Sequence, residues 1–464
     1  MTEPILAAVP DPQWWRPEPD ASHAANTGAR AETLDRPLAS DAAGSSPAFW
    51  ALIGFTFVLL IAPQNIFPAL RPFRIGMLAA GTGLGMMLID RLGRGLPVTR
   101  ATREIKLAAA LLAWAIVTIP FSYWPGGSIG VLTDLFLKTL AIFVLIANVV
   151  STVDRLRKVA WALTLMTVPI ALTGLDNFAS GVYVRGGLDQ AVKRIVGYEG
   201  ALTQNPNDLA LLLNLVLPLT VALFLITPRG LARASLAVIL GLQVIGIVVT
   251  FSRAGFLTLS FTLLISALTS AGRLDRRWTW AVLILAIVCL PLLPADYVSR
   301  LFTITDIDTD PTGSAQDRWA QQIAGAGYVM SHPLVGAGIG QNILAMNSLL
   351  GPAWLMLHNA YLQYAVDLGL PGLLLYVLLV VASVRSAGRA ARLAANRPDG
   401  RELSVLANGI RTTLLTLALA AFFGPIAYHF HFYYFAGLAI AARGIAEGNA
   451  GETALAETDE GAQP

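Results

Sequence analysis

One cysteine, Cys289, stands in 464 residues, which leaves the chain without an intrachain disulfide or a cysteine-built metal cluster. It lies in the apolar run WTWAVLILAIVCLPLLP and reads as a small packing residue. Charge is nearly as scarce: Asp, Glu, Lys and Arg make up 13% of the chain, where a soluble domain carries about a quarter. The formal net charge of +3 is slight, and no nucleic-acid partner is expected. Five histidines are the whole supply of imidazole. HExxH and P-loop patterns are missing, as are paired carboxylates in a credible cleft.

What is present is hydrophobic sequence, 55% of the chain. A helix needs roughly 20 mainly apolar residues to span the hydrocarbon core. Runs of about that length are read at 48–68, 74–90, 107–123, 131–150, 159–179, 207–226, 235–251, 255–271, 278–294, 360–383, 411–427 and 431–446. The expectation is an all-α polytopic membrane protein of about twelve transmembrane helices, with one large loop, 295–358, between helices nine and ten. Residues 1–47, rich in Pro, Ala, Asp, Glu and Ser, are expected to form a disordered tail, because ILAAV is too short for a signal-peptide core. The acidic stretch 447–464 is expected to be a second disordered tail, which leaves 48–446 as the transmembrane domain.

An even number of crossings puts both ends on one side. Lys and Arg concentrate in 91–106, 151–158, 229–233, 273–277 and 385–411, and they outnumber those in the alternate loops. By the positive-inside rule both termini are cytoplasmic. The arginines left on the opposite face then need a reason: Arg185, Arg194, Arg253, Arg300 and Arg318 all fall there, as does His358.

Arg253, in VVTFSRAGFLTLSF, sits between two apolar stretches so close together that the chain must reverse almost at the charge. An arginine costs roughly 2.5–3.5 kcal/mol at a helix centre and less near an interface. It calls for an anion, a water-filled cavity or a lipid headgroup. QNPND (204–208) is a turn and helix start, with Asn207 or Asp208 placed to cap it. DRWAQQIAGAGYVM reads as a short amphipathic helix from about Gln316 to Met330, in which Arg318 and Trp319 suit a phosphate and a sugar, or an interfacial anchor. The glycines of GAGIG (336–340) lack the strand and βαβ unit of a nucleotide fingerprint. His358 opens HNAYLQYAVDLGLPG, where GLPG supplies a bend; an imidazole suits proton transfer near neutrality, though a lone interfacial histidine is as readily a packing residue. His429 and His431, two apart on a helix, point away from each other and make a poor metal pair.

Taken in order, RIVG with NPNDLA, TFSRAGFL, DRWAQQ with SHPLVGAGIGQN, and HNAYLQYAVDLGLPG resemble the O-antigen ligase and O-antigen polymerase superfamily, over roughly residues 190–445. The resemblance implies a GT-C-like glycosyltransferase of the bacterial inner membrane, working on the periplasmic face without metal or other cofactor. Its donor would be a polyprenyl-diphosphate-linked glycan, and its acceptor a glycan or a lipid core. Carried over by motif, Arg194 and Arg253 hold the diphosphate and His358 activates the acceptor hydroxyl. Arg318, Arg185, Asn359 and Tyr361 are the expected substrate-binding residues, Arg185 competing with Arg194 for the first role. One departure is visible: the acidic position of the last motif is often glutamate in the family, and here it is Asp367. Twelve helices also suit a transporter or flippase of lipid-linked glycan. Such carriers show two similar halves, which this chain lacks, and Asp134, Lys138 and Asp176 are the intramembrane charges one would use.

Overall fold

The computed structural model describes residues 45–183, 195–198, 200, 202–270, 314–351 and 356–460. Arg185, Arg194, Arg300, Cys289, the apolar run 278–294 and nearly all of the expected N-terminal tail lie outside the described residues. Within them the chain is helical, with an isolated antiparallel bridge between Tyr183 and Ile195.

The helices, numbered here in chain order, are α1 Ser46–Ile61, α2 Ile75–Gly93, α3 Arg103–Thr118, α4 Pro125–Val149, α5 Val153–Ala179, α6 Pro206–Ile226 and α7 Leu231–Val248. They continue as α8 Arg253–Ser270, α9 Ser314–Ser331, α10 Asn342–Leu350, α11 Ala360–Ala395, α12 Arg401–Ala420 and α13 Phe430–Glu460. Eight helical stretches among the described residues are long and apolar enough to cross a membrane, and Ser46–Ile61 and Arg253–Leu268 are shorter apolar helices.

Several boundaries differ from the sequence reading, each for a local reason. The run 48–68 stops at Ile61, where Ala62 turns left-handed (φ 48°) ahead of Pro63, which cannot continue a helix. The loop expected over 385–411 is mostly helix, because Ala- and Arg-rich sequence propagates α11 to Ala395 and α12 begins at Arg401. The run 411–427 ends at Ala420, short of Gly424 and Pro425. The tail expected to be disordered from 447 is helical through Glu460, again in Ala- and Glu-rich sequence.

α6 and α11 stand at the middle. α6 packs on α5, α7, α8 and α12, and α11 on α3, α9, α12 and α13. The largest buried side chains gather between α4, α11 and α13: Tyr364, Tyr376, Tyr433, Phe136, Phe143 and Phe432. Tyr364 stacks on Tyr376 with ring centroids 4.1 Å apart and shares a 3.0 Å hydrogen bond with the Tyr433 hydroxyl. That pairing meets the cost of a phenol in an apolar core.

α11 bends as GLPG predicts. Gly369 has φ 70°, a left-handed conformation inside the helix, and a side chain there would run into the backbone of Leu334. The candidate intramembrane charges of a carrier face outward: Lys138 and Asp134 pair at 3.1 Å on the surface of α4, and Asp176 is exposed.

At the opposite end of the bundle, Glu104 of α3 is buried and accepts hydrogen bonds from Ser386 of α11 and from Arg443 of α13, the latter at 3.1 Å. Removing one partner of a buried ion pair leaves the other uncompensated, at about 3–5 kcal/mol. Glu104→Ala should therefore lower the thermal unfolding midpoint of the purified protein substantially. Arg157→Ala, at a pair with Glu402 that is half-exposed, should move it little.

Candidate functional site

Between α7 and α8 only four residues, 249–252, reverse the chain. Phe251 takes the left-handed region (φ 52°) to do it and stacks on Phe178 at 5.9 Å. Ser252 then caps α8: its hydroxyl accepts from the Gly255 N–H at 3.0 Å and donates to the Asn207 side chain at 2.8 Å. Arg253 is thereby the first residue of α8, beside the first turn of α6. The two helices approach closely because Gly255 lies against Ala210, and the Asn214 amide donates to the Gly255 carbonyl at 3.1 Å.

The start of α6 follows from NPND. Asn205 is the cap, its side chain accepting from the Asn207 N–H at 2.9 Å, and Pro206 is the first helical residue, where its missing N–H costs nothing. The cap is thus Asn205 rather than Asn207 or Asp208, since proline at the first position moves the helix start forward. Asp208 falls in the first turn, where an acid complements the helix dipole.

A cavity of about 80 Å³ opens where these termini meet. It is lined by Asn205, Asn207 and Asp208 from α6, by Ala254, Gly255 and Thr258 from α8, and by His358. The wall is completed by Ala420 and the turn Phe423–Ile426. That turn was hidden inside an apolar run in the sequence, with Gly424-Pro425 as its one overlooked signal. Helix N-termini present N–H groups and a partial positive charge, and two of them floor this pocket, with the Asp208 carboxylate and the carbonyl end of α12 at Ala420 also in its lining.

His358 precedes α11 and is half-buried. Its Nδ1 is buried without a hydrogen-bond partner among the described residues. Burial first, and then the charge of Arg318, hold its pKa below 6.5, against a smaller opposite pull from the Met356 backbone. The ring is therefore neutral, and able to accept a proton, over a wider pH range than an ordinary histidine. Arg318 stands in the first turns of α9, the amphipathic helix expected from Gln316 to Met330 and observed over Ser314–Ser331.

Of the other expected residues, Asn359 caps α11, accepting from the Leu362 N–H at 3.1 Å and donating to Gln322 of α9 at 3.2 Å. The Tyr361 hydroxyl donates to the Ala418 carbonyl at 2.8 Å. Both side chains are engaged within the protein, and neither lines the cavity. They hold His358 and the cavity wall in place. Arg194 and Arg185 are outside the described residues; Ile195, which follows Arg194, is fully buried, and the Asn177 amide donates to the Val196 carbonyl at 2.9 Å. The rings of His429 and His431 are 6.3 Å apart, and no cluster of three or more metal-ligating side chains occurs among the described residues.

The glycines of GAGIG serve backbone packing. Gly336, Gly338 and Gly340 all have positive φ, and side chains on them would strike α11, Ser122 and Val131 respectively. The loop is pinned on both sides, by Tyr123 N–H to the Ala337 carbonyl (2.9 Å) and by the Ser128 hydroxyl to the Ile339 carbonyl (3.1 Å).

Comparison with known proteins gives one family. The sequence profile described as "O-Antigen ligase" matches residues 235–377, which include α8, α9, α10 and the first half of α11. No curated protein matches the chain. A chain from the solved structure described as "Structural coordination of polymerization and crosslinking by a peptidoglycan synthase complex" is similar at 18% identity and a TM-score of 0.40, over 75% of this chain and 97% of that one. Likeness at that level assigns neither fold nor activity.

The electrostatics of His358 can be measured directly. In the folded protein the ring titrates below 6.5, so this group withdraws stability as pH falls below that value, because the unfolded chain takes up the proton more readily. Arg318→Gln removes the repelling charge and should raise the pKa of His358, followed by NMR of labelled histidine and assigned with His358→Gln. A titration unmoved by Arg318→Gln would contradict the arrangement.

Proposed function

We propose, from the premise that this chain carries a domain of the O-antigen ligase and polymerase superfamily over residues 235–377, that it is a membrane glycosyltransferase acting on a polyprenyl-diphosphate-linked glycan at the periplasmic face of the bacterial inner membrane. The observation that carries the reading is a cavity lined by His358, by the first turn of α6 and by the residues that follow Arg253. A proton acceptor and two helix N-termini meet there at the end of the bundle.

In the reaction, the acceptor hydroxyl gives its proton to the neutral His358 ring as its oxygen attacks the anomeric carbon of the donor sugar. The bond from that carbon to the diphosphate oxygen breaks, and the polyprenyl diphosphate leaves with the electron pair. Arg253, with Arg194, holds the diphosphate and stabilises the charge that develops on it. Guanidinium groups suit this because each makes bidentate, charge-assisted bonds to phosphate oxygens. Burial, and after it the charge of Arg318, favours the unprotonated form of His358 between turnovers. The same steps serve a growing glycan or a lipid core as acceptor.

Removing one electrostatic donor commonly costs about 10²–10³ in rate, and removing a general base about 10²–10⁴. Arg253→Ala and His358→Ala should each abolish most glycan transfer in vesicles supplied with lipid-linked donor and acceptor, while membrane insertion is unchanged. Full activity in either variant would overturn the assignment. So would vesicles that translocate the lipid-linked glycan without forming a new glycosidic bond.

A further inference from the structure

α9 runs alongside the first turns of α11 in one fixed register. Gln322 meets Asn359, Gly325 lies against Leu362, and the Pro333 carbonyl accepts from the Leu370 N–H at 2.7 Å, all at a constant sequence separation. Tyr328 and Val329 share a buried apolar cluster with Ala365 and Val366. A helix packed this way carries its first turns, and Arg318, to a height set by where its far end is tied.

The far end is tied at Asp367. The loop that follows α9 returns along α11, with Ala337 N–H bonded to the Val366 carbonyl (2.7 Å) and Gly338 N–H to the Asp367 carbonyl (2.8 Å). The loop ends at Asn342, whose backbone N–H donates to Asp367 Oδ1 at 2.6 Å and whose side-chain amide donates to the same oxygen at 3.2 Å. The Tyr428 hydroxyl donates to Oδ2 at 3.2 Å, two residues beyond the turn that walls the cavity. Asp367 is fully buried. One carboxylate thus joins α11, the start of α10 and the segment after α12. A buried acceptor left with fewer donors is costly, so these three segments are held together strongly.

We propose that Asp367 is a positioning residue: by holding Asn342 and Tyr428 to the bend of α11, its carboxylate fixes the height at which α9 presents Arg318 to His358. This rests on the transferase reading only for its kinetic test.

The sign of one measurement separates positioning from simple charge loss. Asp208 lines the cavity with His358, the charge of Arg318 acts on the ring, and Arg253 stands one residue before the cavity wall. Removing a carboxylate, by charge alone, lowers an imidazole pKa or leaves it unchanged. Withdrawing Arg318 raises it. Asp367→Asn should therefore raise the His358 titration, in the direction of Arg318→Gln, and should add no further rise when combined with Arg318→Gln. In transfer assays kcat should fall by up to about a hundredfold, the scale of an ångström of misplacement, with the donor KM little changed, and again no further loss in the Arg318→Gln background. If Asp367→Asn fails to fold, Asn342→Ala and Tyr428→Phe remove single partners of the same carboxylate and should give smaller shifts of the same sign. A titration that stays put or falls, or kinetic losses that multiply in the double variant, would overturn the proposal. Because the titration needs no turnover, that failure is distinguishable from failure of the transferase reading.

Discussion

A polar group carried into an apolar slab must find its partners inside the protein, and the bend of α11 is where this chain meets that demand most heavily. Gly369 interrupts the helix and frees backbone groups on both sides of the break. The Leu370 N–H goes to Pro333, the Leu368 carbonyl to the Trp114 indole at 2.8 Å, and the Asp367 carbonyl to Gly338. An irregular loop is thereby seated among helices with its hydrogen bonds made. The same contacts fix α9 beside α11, and α11 begins at the cavity. Packing at the bend and geometry at His358 belong to one connected structure.

The cavity itself is assembled from chain segments far apart in sequence, and each reaches it by a simple local device. A proline at the first helical position starts α6, a four-residue reversal starts α8, and an asparagine cap starts α11 two residues after His358. Three helix starts near one another concentrate N–H groups and partial positive charge, against which the lining also sets the Asp208 carboxylate and the carbonyl end of α12. Burial and one neighbouring guanidinium then bias the imidazole toward its neutral form.

Much of this was legible in the sequence wherever a local rule governs it. The reversal at Arg253, the amphipathic helix of α9, the bend at 369–372 and the helix start after NPND are short-range patterns of charge, periodicity and proline. Each expected span within the described residues overlaps a helix for the same reason, with its ends displaced. What could not be read were contacts that bring distant residues together. Nothing local in Asn342, Asp367 and Tyr428 says that they meet, and nothing local in Asn359 and Tyr361 announces their bonds to Gln322 and Ala418, which are tertiary. The wall at Phe423–Ile426 was lost inside an apolar run, and α11 and α12 were cut short because a hydropathy boundary marks the edge of the bilayer and says little about where a helix stops.

On the proposed reading, Arg253, which opens a short apolar helix, holds its guanidinium at the depth where phospholipid headgroups lie. A phosphorylated lipid encountering it has already been oriented by the bilayer and arrives by two-dimensional diffusion at the correct level. Recognition can then be confined to the few atoms around the phosphate, and the length of the hydrocarbon tail behind it becomes immaterial.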